Sequence, residues 1–389
     1  MSTDKPLAGI TVVERADGVA AAYAGRLLAA MGAEVVMVEP PSGTALRREP
    51  PFLDGEDRWS ALFSYLSVGK KSVVIDLEDT GERAGFAALL DRADVLLLDT
   101  PVDARPALGL DAESVRRAHP RLVYGSVLPF GAVGPKAGWS GDEINLIHAS
   151  GEGFLLPNGL SADLFPDRPP LKIAGRFAEI QGGVTALLAV LSALWAGGGE
   201  VDLSVQDANV AIGAFAIQRL GDGSVEHRHQ RSFRYGGVIE CADGFVELLT
   251  LEERQWTALV ELMGRPAWAL APEMSDPAVR SARGPDLNAR IRAWARGEAV
   301  ADLVARAQRL GVPMAPYNTP ADVLADPHEA ARNLFADVRI DGVGPVPVLT
   351  APFRFGPDPL PVAAPPPVLG ADQDLLDMTR PEGRRRVTA

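Results

Sequence analysis

The sequence predicts an α/β protein whose first half builds a parallel sheet and whose second half adds a smaller α+β lobe. Short β-branched runs alternate with helical stretches from residue 9 to residue 126. That alternation is the signature of right-handed crossovers onto a parallel sheet with helices on both faces. Past Gly221 the pattern changes to a hairpin followed by helices. At 389 residues the chain exceeds one average domain, so two lobes are expected.

The elements follow in order. Gly9-Ile-Thr-Val-Val-Glu14 reads as a buried strand. Residues 20–31 read as a helix stopped by Gly32 in a left-handed cap. Glu34-Val-Val-Met-Val-Glu39 is the next strand and Ser72-Val-Val-Ile-Asp76 the third. A helix over 81–92 leads to Asp94-Val-Leu-Leu-Leu-Asp99, and Arg121-Leu-Val-Tyr-Gly-Ser126 is the fifth strand. Helices are expected over 141–149, 177–196 and 205–219. A hairpin over 237–249 turns at Asp243-Gly244. Helices near 253–263, 286–296 and 299–310 complete the second lobe. The expected boundaries are 1–205 for the large domain, 206–221 for a linker helix and 222–318 for the small domain. Residues 319–389 then carry a proline-rich strap at 357–367.

Composition narrows the function classes. Hydrophobic residues make up 47% and charged residues 23%, enough for a sizeable core. A formal charge of −13 argues against nucleic acid as a partner, because phosphate backbones require a basic face. A small anionic ligand needs only a local basic pocket and stays open. Cys241 is the single cysteine, so no disulfide framework is expected. Met-Ser-Thr-Asp-Lys-Pro at the start lacks the pattern of a signal peptide. The apolar run 183–198 is short for a bilayer and reads as a buried helix. A soluble, cytoplasmic protein without a membrane partner is the expectation.

Several chemistries lack their motif. No G-x-G-x-x-G follows the first strand, and no phosphate-binding P-loop, G-x-S-x-G elbow or H-E-x-x-H occurs. His227 and His229 form an isolated pair with no partner cluster, so no metal site is expected. Cys241, on a predicted hairpin strand, reads as a small buried hydrophobe.

The most informative stretch is Trp139-Ser-Gly-Asp-Glu-Ile-Asn-Leu-Ile-His-Ala-Ser-Gly-Glu-Gly153. Asp142 and Glu143 stand just ahead of an apolar helical run. A carboxylate here serves either as a covalent nucleophile or proton-transfer base, or as a helix cap. The capping reading takes Ser140 as N-cap and Glu143 at N3, with Trp139 and Ile144 as a hydrophobic staple. Such a cap contributes about 1 kcal/mol.

Read end to end, the chain resembles the class III CoA-transferase family, the CaiB/BaiF group, which includes formyl-CoA and carnitine CoA-transferases and α-methylacyl-CoA racemases. The resemblance rests on segments in family order. These are Leu7-Ala-Gly-Ile-Thr-Val-Val-Glu14, Tyr23 to Pro41, Val68-Gly-Lys-Lys-Ser-Val-Val-Ile-Asp-Leu77, Ala93 to Asp99, Gly109-Leu110, Pro120 to Ser126, Gly134-Pro135, Ala149-Ser-Gly151, Ala242-Asp-Gly-Phe-Val-Glu247 and Gln255-Trp256. It implies a Rossmann-like large lobe built from both chain ends, a small lobe from the middle, and a homodimer of interlocked chains.

The resemblance also implies chemistry. Family transferases move CoA between an acyl-CoA thioester and a small carboxylic acid through an enzyme aspartate, with coenzyme A as the substrate and product carrier and no metal. The expected position of that aspartate, eight residues before Gly151, holds Glu143 here. Asp142 is the neighbouring candidate, and Glu179 in Ala178-Glu-Ile-Gln-Gly-Gly183 is a third acid in a family catalytic segment. The racemase branch carries His-Asp within "GHDINY", whereas this chain has Asp142-Glu143, so that histidine base is missing. A racemase, isomerase or dehydratase using the same acids for proton transfer remains an alternative, as does a catalytically diverged ligand-binding subunit. CoA phosphates need cations. Candidates by position are Arg47, Arg48, Lys70, Lys71, Arg105 and Lys136. The family usually has arginine two residues before the glycine at Gly109, where this chain has Ala107; Arg105 is the nearest substitute. Substrate specificity is expected from Glu152 to Gly159 and from Tyr235-Gly-Gly237.

Overall fold

The computed structural model describes residues 5–53, 55–155, 169, 171–213, 235–356, 360, 362 and 364–377. The chain divides into two compact units. One gathers Met1–Glu152, Ile173–Ala214 and Asp326–Ala389, and the other holds Gly153–Lys172 and Phe215–Ala325.

In the first unit, six parallel strands lie in the order β3-β2-β1-β4-β5-β6. They are β1 (Thr11–Arg15), β2 (Glu34–Glu39), β3 (Lys71–Val74), β4 (Val95–Leu98), β5 (Val123–Leu128) and β6 (Gly199–Ser204). The inner strands are near-continuous aliphatic runs because helices cover both faces. Val12, Val35, Val95 and Val123 point to one core, and Val13, Val36, Leu96 and Tyr124 to the other. β6 was not foreseen as a strand. Its first four residues alternate between half-buried and exposed, as an edge strand does.

Three helices shape the first face: α1 (Val19–Ala30), α8 (Phe177–Trp195) and α9 (Val205–Ile212). Apart from Arg26, α1 is apolar all round, and it is buried from Val19 to Ala29. It packs along α8, where Gly183 permits the approach: a Cβ there would lie 2.7 Å from the Ala20 carbonyl oxygen. Gly182 does the same for Val205 of α9. α8 is also the one described helix long and apolar enough to cross a membrane, at 19 residues and mean hydropathy 1.6. The remaining helices of this half are α2 (Ala61–Ser67), α3 (Arg83–Arg92), α4 (Arg105–Leu108), α5 (Ala112–Ala118), α6 (Glu143–Ala149) and α7 (Glu152–Leu155).

The C-terminal segment closes the edge of β3. Asp372 accepts from the Ser72 N–H at 2.9 Å, while the Gln373 amide accepts from Val74 N–H and donates to its carbonyl at 2.9 and 2.8 Å. Side chains thereby stand in for a neighbouring strand and cover an otherwise open edge. An unexpected antiparallel hairpin, β10 (Phe335–Ile340) with β11 (Gly344–Leu349), precedes it. Pro345 and Pro347 hide β11 from a reading of the sequence; proline is tolerated here because β11 is an edge strand.

The second unit holds an antiparallel sheet in the order β7-β8-β9: β7 (Gly237–Glu240), β8 (Phe245–Leu248) and β9 (Met314–Pro316). Helices Glu253–Leu262, Gly284–Ala295 and Val300–Leu310 pack on it around Trp256, Leu259, Ile291 and Leu303. Cys241 is buried here, as its sequence context predicts. Tyr235, expected near the substrate, is buried edge-on against Trp256 with centroids 5.6 Å apart. His227, His229, Leu156 to Gly159, residues 214–221 of the expected linker helix and 357–359, 361 and 363 of the strap lie outside the described residues.

Candidate active site

The Trp139–Gly153 segment follows β5 and turns into α6, but its cap differs from the expected one. Asp142, not Ser140, is the N-cap, and its N–H donates to Asn145 Oδ1 at 3.0 Å. The expected staple is absent. Trp139 packs edge-on against Phe130 with centroids 6.0 Å apart, and Ile144 is 53% exposed.

Freed from capping its own helix, Glu143 caps a different one. Its side chain is 3% exposed, and its two oxygens accept the N–H groups of Ala178 and Glu179, each at 3.1 Å. These are consecutive amides in the first turn of α8, whose own N-cap residue, Arg176, provides no side-chain cap. A helix N-terminus has unpaired N–H groups and favours negative charge, so the match is chemically complete. Asn209 of α9 holds the same turn from the other side. Its Nδ2 donates to the Ala178 and Val205 carbonyls at 3.0 and 2.8 Å.

Glu179 therefore projects from a turn fixed by two buried side chains. Its own side chain is 12% exposed. Arg176 donates through Nη1 to Glu179 Oε2 at 3.1 Å and pairs through Nη2 with Glu49. Oε1 has no hydrogen bond among the described residues. Burial pushes the Glu179 carboxyl above the usual glutamate range; Arg176 opposes this, and the charges of Glu143 and Asp142 add to it. Asp142 is exposed at the start of α6.

The basic candidates separate by what their donors already do. Lys70 is spent on the fold: its ammonium donates to both Glu14 oxygens at 2.8 Å and to the Ala22 carbonyl at 2.7 Å. Arg105 is the arginine nearest in sequence to Ala107, where the family usually has one. It is 4% exposed and donates to the Thr100 carbonyl, Tyr124 Oη and Ser126 Oγ. Arg47 is bound by both carboxylate oxygens of Glu39 at 2.7 Å and lies over the Phe63 ring. Lys71 pairs with Glu34 at the N-terminal edge of the sheet, away from the strand ends where open α/β sheets bind ligands. Arg48 and Lys136 keep accessible donors. Arg48 is exposed beside Ser42 and Gly43, after β2. Lys136 lies over both Phe130 and Trp139 and donates to Gln206 at 3.0 Å.

Asp99 holds the start of α1, and no motif marks it. It ends β4 beside β1, where the strand order reverses and α/β folds hold ligands. Its carboxylate accepts the N–H groups of Asp17 and Gly18, the latter at 2.6 Å, at the start of α1. The place where such folds bind a phosphate is filled by the protein's own anion. Burial pushes Asp99 up to about 7, against those two backbone hydrogen bonds.

With this geometry in hand, the match to known proteins is specific. The model of CoA-transferase family III matches residues 7–373. The chain belongs to that family. Succinate–glutarate CoA-transferase of Agrobacterium fabrum is 30% identical over 383 residues, covering 95% of this chain and 94% of the relative. Succinyl-CoA:mesaconate CoA-transferase of Haloarcula marismortui is 30% identical over 348 residues, covering 85% and 84%. A crystal structure of a CaiB/BaiF family protein from Brucella suis superposes with a TM-score of 0.83 at 28% identity, over 96% of this chain and 99% of that one. The activity class is CoA transfer, and the mixed α/β fold is that of the CaiB/BaiF structures. Among the described residues, no group of three His, Cys, Asp or Glu side chains is placed to hold a metal.

Proposed function

We propose that this enzyme moves CoA from an acyl-CoA thioester to a small carboxylic acid, with Glu179 as the covalent carboxylate and Glu143 as its support. One observation carries the assignment. Both oxygens of Glu143 are consumed by backbone amides, one of them the N–H of Glu179, whereas the Glu179 side chain keeps Oε1 without a partner among the described residues.

In this reading Glu179 Oε1 attacks the thioester carbonyl carbon. The C–S bond breaks, CoA leaves as thiolate, and a mixed anhydride forms. The thiolate then attacks the glutamyl carbonyl carbon, releasing the donor carboxylate and leaving a Glu179–CoA thioester. The acceptor carboxylate attacks that thioester and expels the thiolate again. The thiolate finally attacks the acceptor acyl carbon, giving the new acyl-CoA and the free Glu179 carboxylate. Each step is an acyl exchange between activated carboxyls, which divides one difficult transfer into easier ones.

Arg48 and Lys136 are the cations assigned to the CoA phosphates, since their donors are not consumed by buried carboxylates. The relatives act on succinyl and other short acyl groups, and a short dicarboxylic acid is the substrate class assigned here. A cytoplasmic homodimer is part of the same reading. Val184, Leu188 and Trp195 form a stripe on α8 that is 43%, 67% and 69% exposed, an apolar face suited to a second copy.

The test is intact-protein mass spectrometry after mixing with succinyl-CoA. A hydroxylamine-sensitive CoA adduct mapping to Glu179 is expected, and Glu179→Gln should lower turnover by at least about 10⁴-fold. An adduct on Glu143, or full turnover by Glu179→Gln, would sink the assignment.

A further inference from the structure

We propose that Glu143 is a positioning residue that drives acylation of Glu179, by clamping its turn and by setting a second negative charge beside it. The inference rests on Glu179 being the covalent carboxylate. It goes further in giving Glu143 an electrostatic task that a cap alone does not need.

Capping two amides of α8 calls only for oxygen acceptors, which neutral Ser and Asn side chains supply as readily as the Asp carboxylate. The chain instead buries a carboxylate from α6, 3% exposed, against the α8 amides at 3.1 Å. One of those amides belongs to Glu179 itself. The resulting repulsion works against the free Glu179 carboxylate.

Charge bookkeeping over the reaction shows what this repulsion does. Before attack, Glu179 carries a negative charge. In the anhydride and in the glutamyl thioester its carboxyl is neutral, and the charge has left on the CoA sulfur or on the departing carboxylate. Glu143 therefore raises the free enzyme relative to both covalent intermediates, an interaction that differs between ground state and product of attack. Arg176 acts in the opposite sense through its 3.1 Å pair with Glu179, and its second pairing with Glu49 divides that attraction.

α6, α9 and α1 all pack against α8. Asp142, at the N-cap of α6, adds a weaker push in the direction of Glu143. α9 contributes the uncharged Asn209 to the turn and carries Asp207 in its first turn. α1 contributes Arg26, whose guanidinium donates to the Tyr65 and Leu349 carbonyls. Asn209 is 1% exposed and holds the Ala178 carbonyl, so the turn is clamped whatever the charge on Glu143.

The experiment uses the full chain, with wild type, Glu143→Gln, Glu143→Ser and Arg176→Gln. Glu179 is labelled with a water-soluble carbodiimide across pH, and the labelled peptide is quantified by mass spectrometry. Carbodiimide reacts with the protonated acid, so the midpoint of labelling reports the Glu179 ionisation without any substrate. Both neutral replacements of Glu143 should move that midpoint to lower pH, and Arg176→Gln should move it to higher pH. Capture of CoA from succinyl-CoA should slow about 10²-fold in Glu143→Gln. A midpoint unchanged in whichever Glu143 variant folds would overturn the inference and leave Glu143 as a cap. A wild type that takes no CoA onto Glu179, with the midpoint still shifting, would instead sink the nucleophile assignment and the role in acylation with it.

Discussion

Lys70 and Glu14 form an ion pair sealed inside the large unit, with the ammonium 2.8 Å from both carboxylate oxygens and the side chains 0% and 3% exposed. Gly25, in the middle of α1, makes room for it. A Cβ at Gly25 would lie 1.7 Å from Glu14 Oε2 and 3.2 Å from Lys70 Nζ. A helix-interior glycine costs about 1 kcal/mol relative to alanine, so its presence here marks space that the ion pair needs.

Lys70 is thus expected to matter for folding and not for CoA. Lys70→Met leaves the Glu14 carboxylate buried without its cation, which costs about 3–5 kcal/mol. Urea denaturation followed by circular dichroism should show that loss. Weakened CoA binding at unchanged stability would contradict the assignment.

Gly183 sets the distance between α1 and α8. Its substitution by alanine puts a methyl group 2.7 Å from the Ala20 backbone oxygen and 3.1 Å from the Tyr23 side chain. Backbone cannot swing aside as a flexible side chain can, so the helices must separate, at about 1–3 kcal/mol. Gly183 is also one turn along α8 from Glu179, so turnover should fall more steeply than stability alone explains. Thermal melting and steady-state assays on Gly183→Ala test both; an unchanged melting temperature would show that the contact tolerates the methyl group.

Asp99 makes stability depend on pH. Its folded-state pKa of about 7 lies above the ordinary aspartate value of 3.8, so between those values the native state binds more protons than the unfolded chain. Stability then falls as pH rises. The contribution is complete below about pH 4 and is lost as the pH passes through 7, on the order of a few kcal/mol. Asp99→Asn should flatten the decline in melting temperature between pH 5 and about 8. A variant with the same slope as wild type would locate the titration elsewhere.

The strands of the parallel sheet were legible because buried parallel strands leave aliphatic runs that cannot be mistaken for loops. β2 matches its expected limits, and α1 and α8 start or stop within a residue of theirs. β6 and the β10–β11 hairpin were not legible, since edge strands tolerate polar residues and prolines that a reading of the sequence counts against them. At the site, the relevant acids were legible and their division of work was not. Glu143 looked like a nucleophile or the cap of its own helix, and it caps α8, 35 residues further on. Lys70 and Arg105 looked like anion binders; Lys70 holds Glu14, 56 positions away, and Arg105 donates to Thr100 and Ser126, 5 and 21 positions away.

By itself, then, the order of residues determined the family, the sheet-forming runs and the short roster of acids around Glu143 and Glu179. These are local matters of hydrophobic periodicity and motif spacing. Tertiary structure decided which of the two glutamates keeps an oxygen without a partner among the described residues, which cations are already paired, and that Asp99 caps the start of α1. The reason is physical. A hydrogen bond or ion pair consumes a donor or acceptor by proximity in space, and for Glu143, Lys70 and Asp99 those partners lie 35, 56 and 81 positions away along the chain.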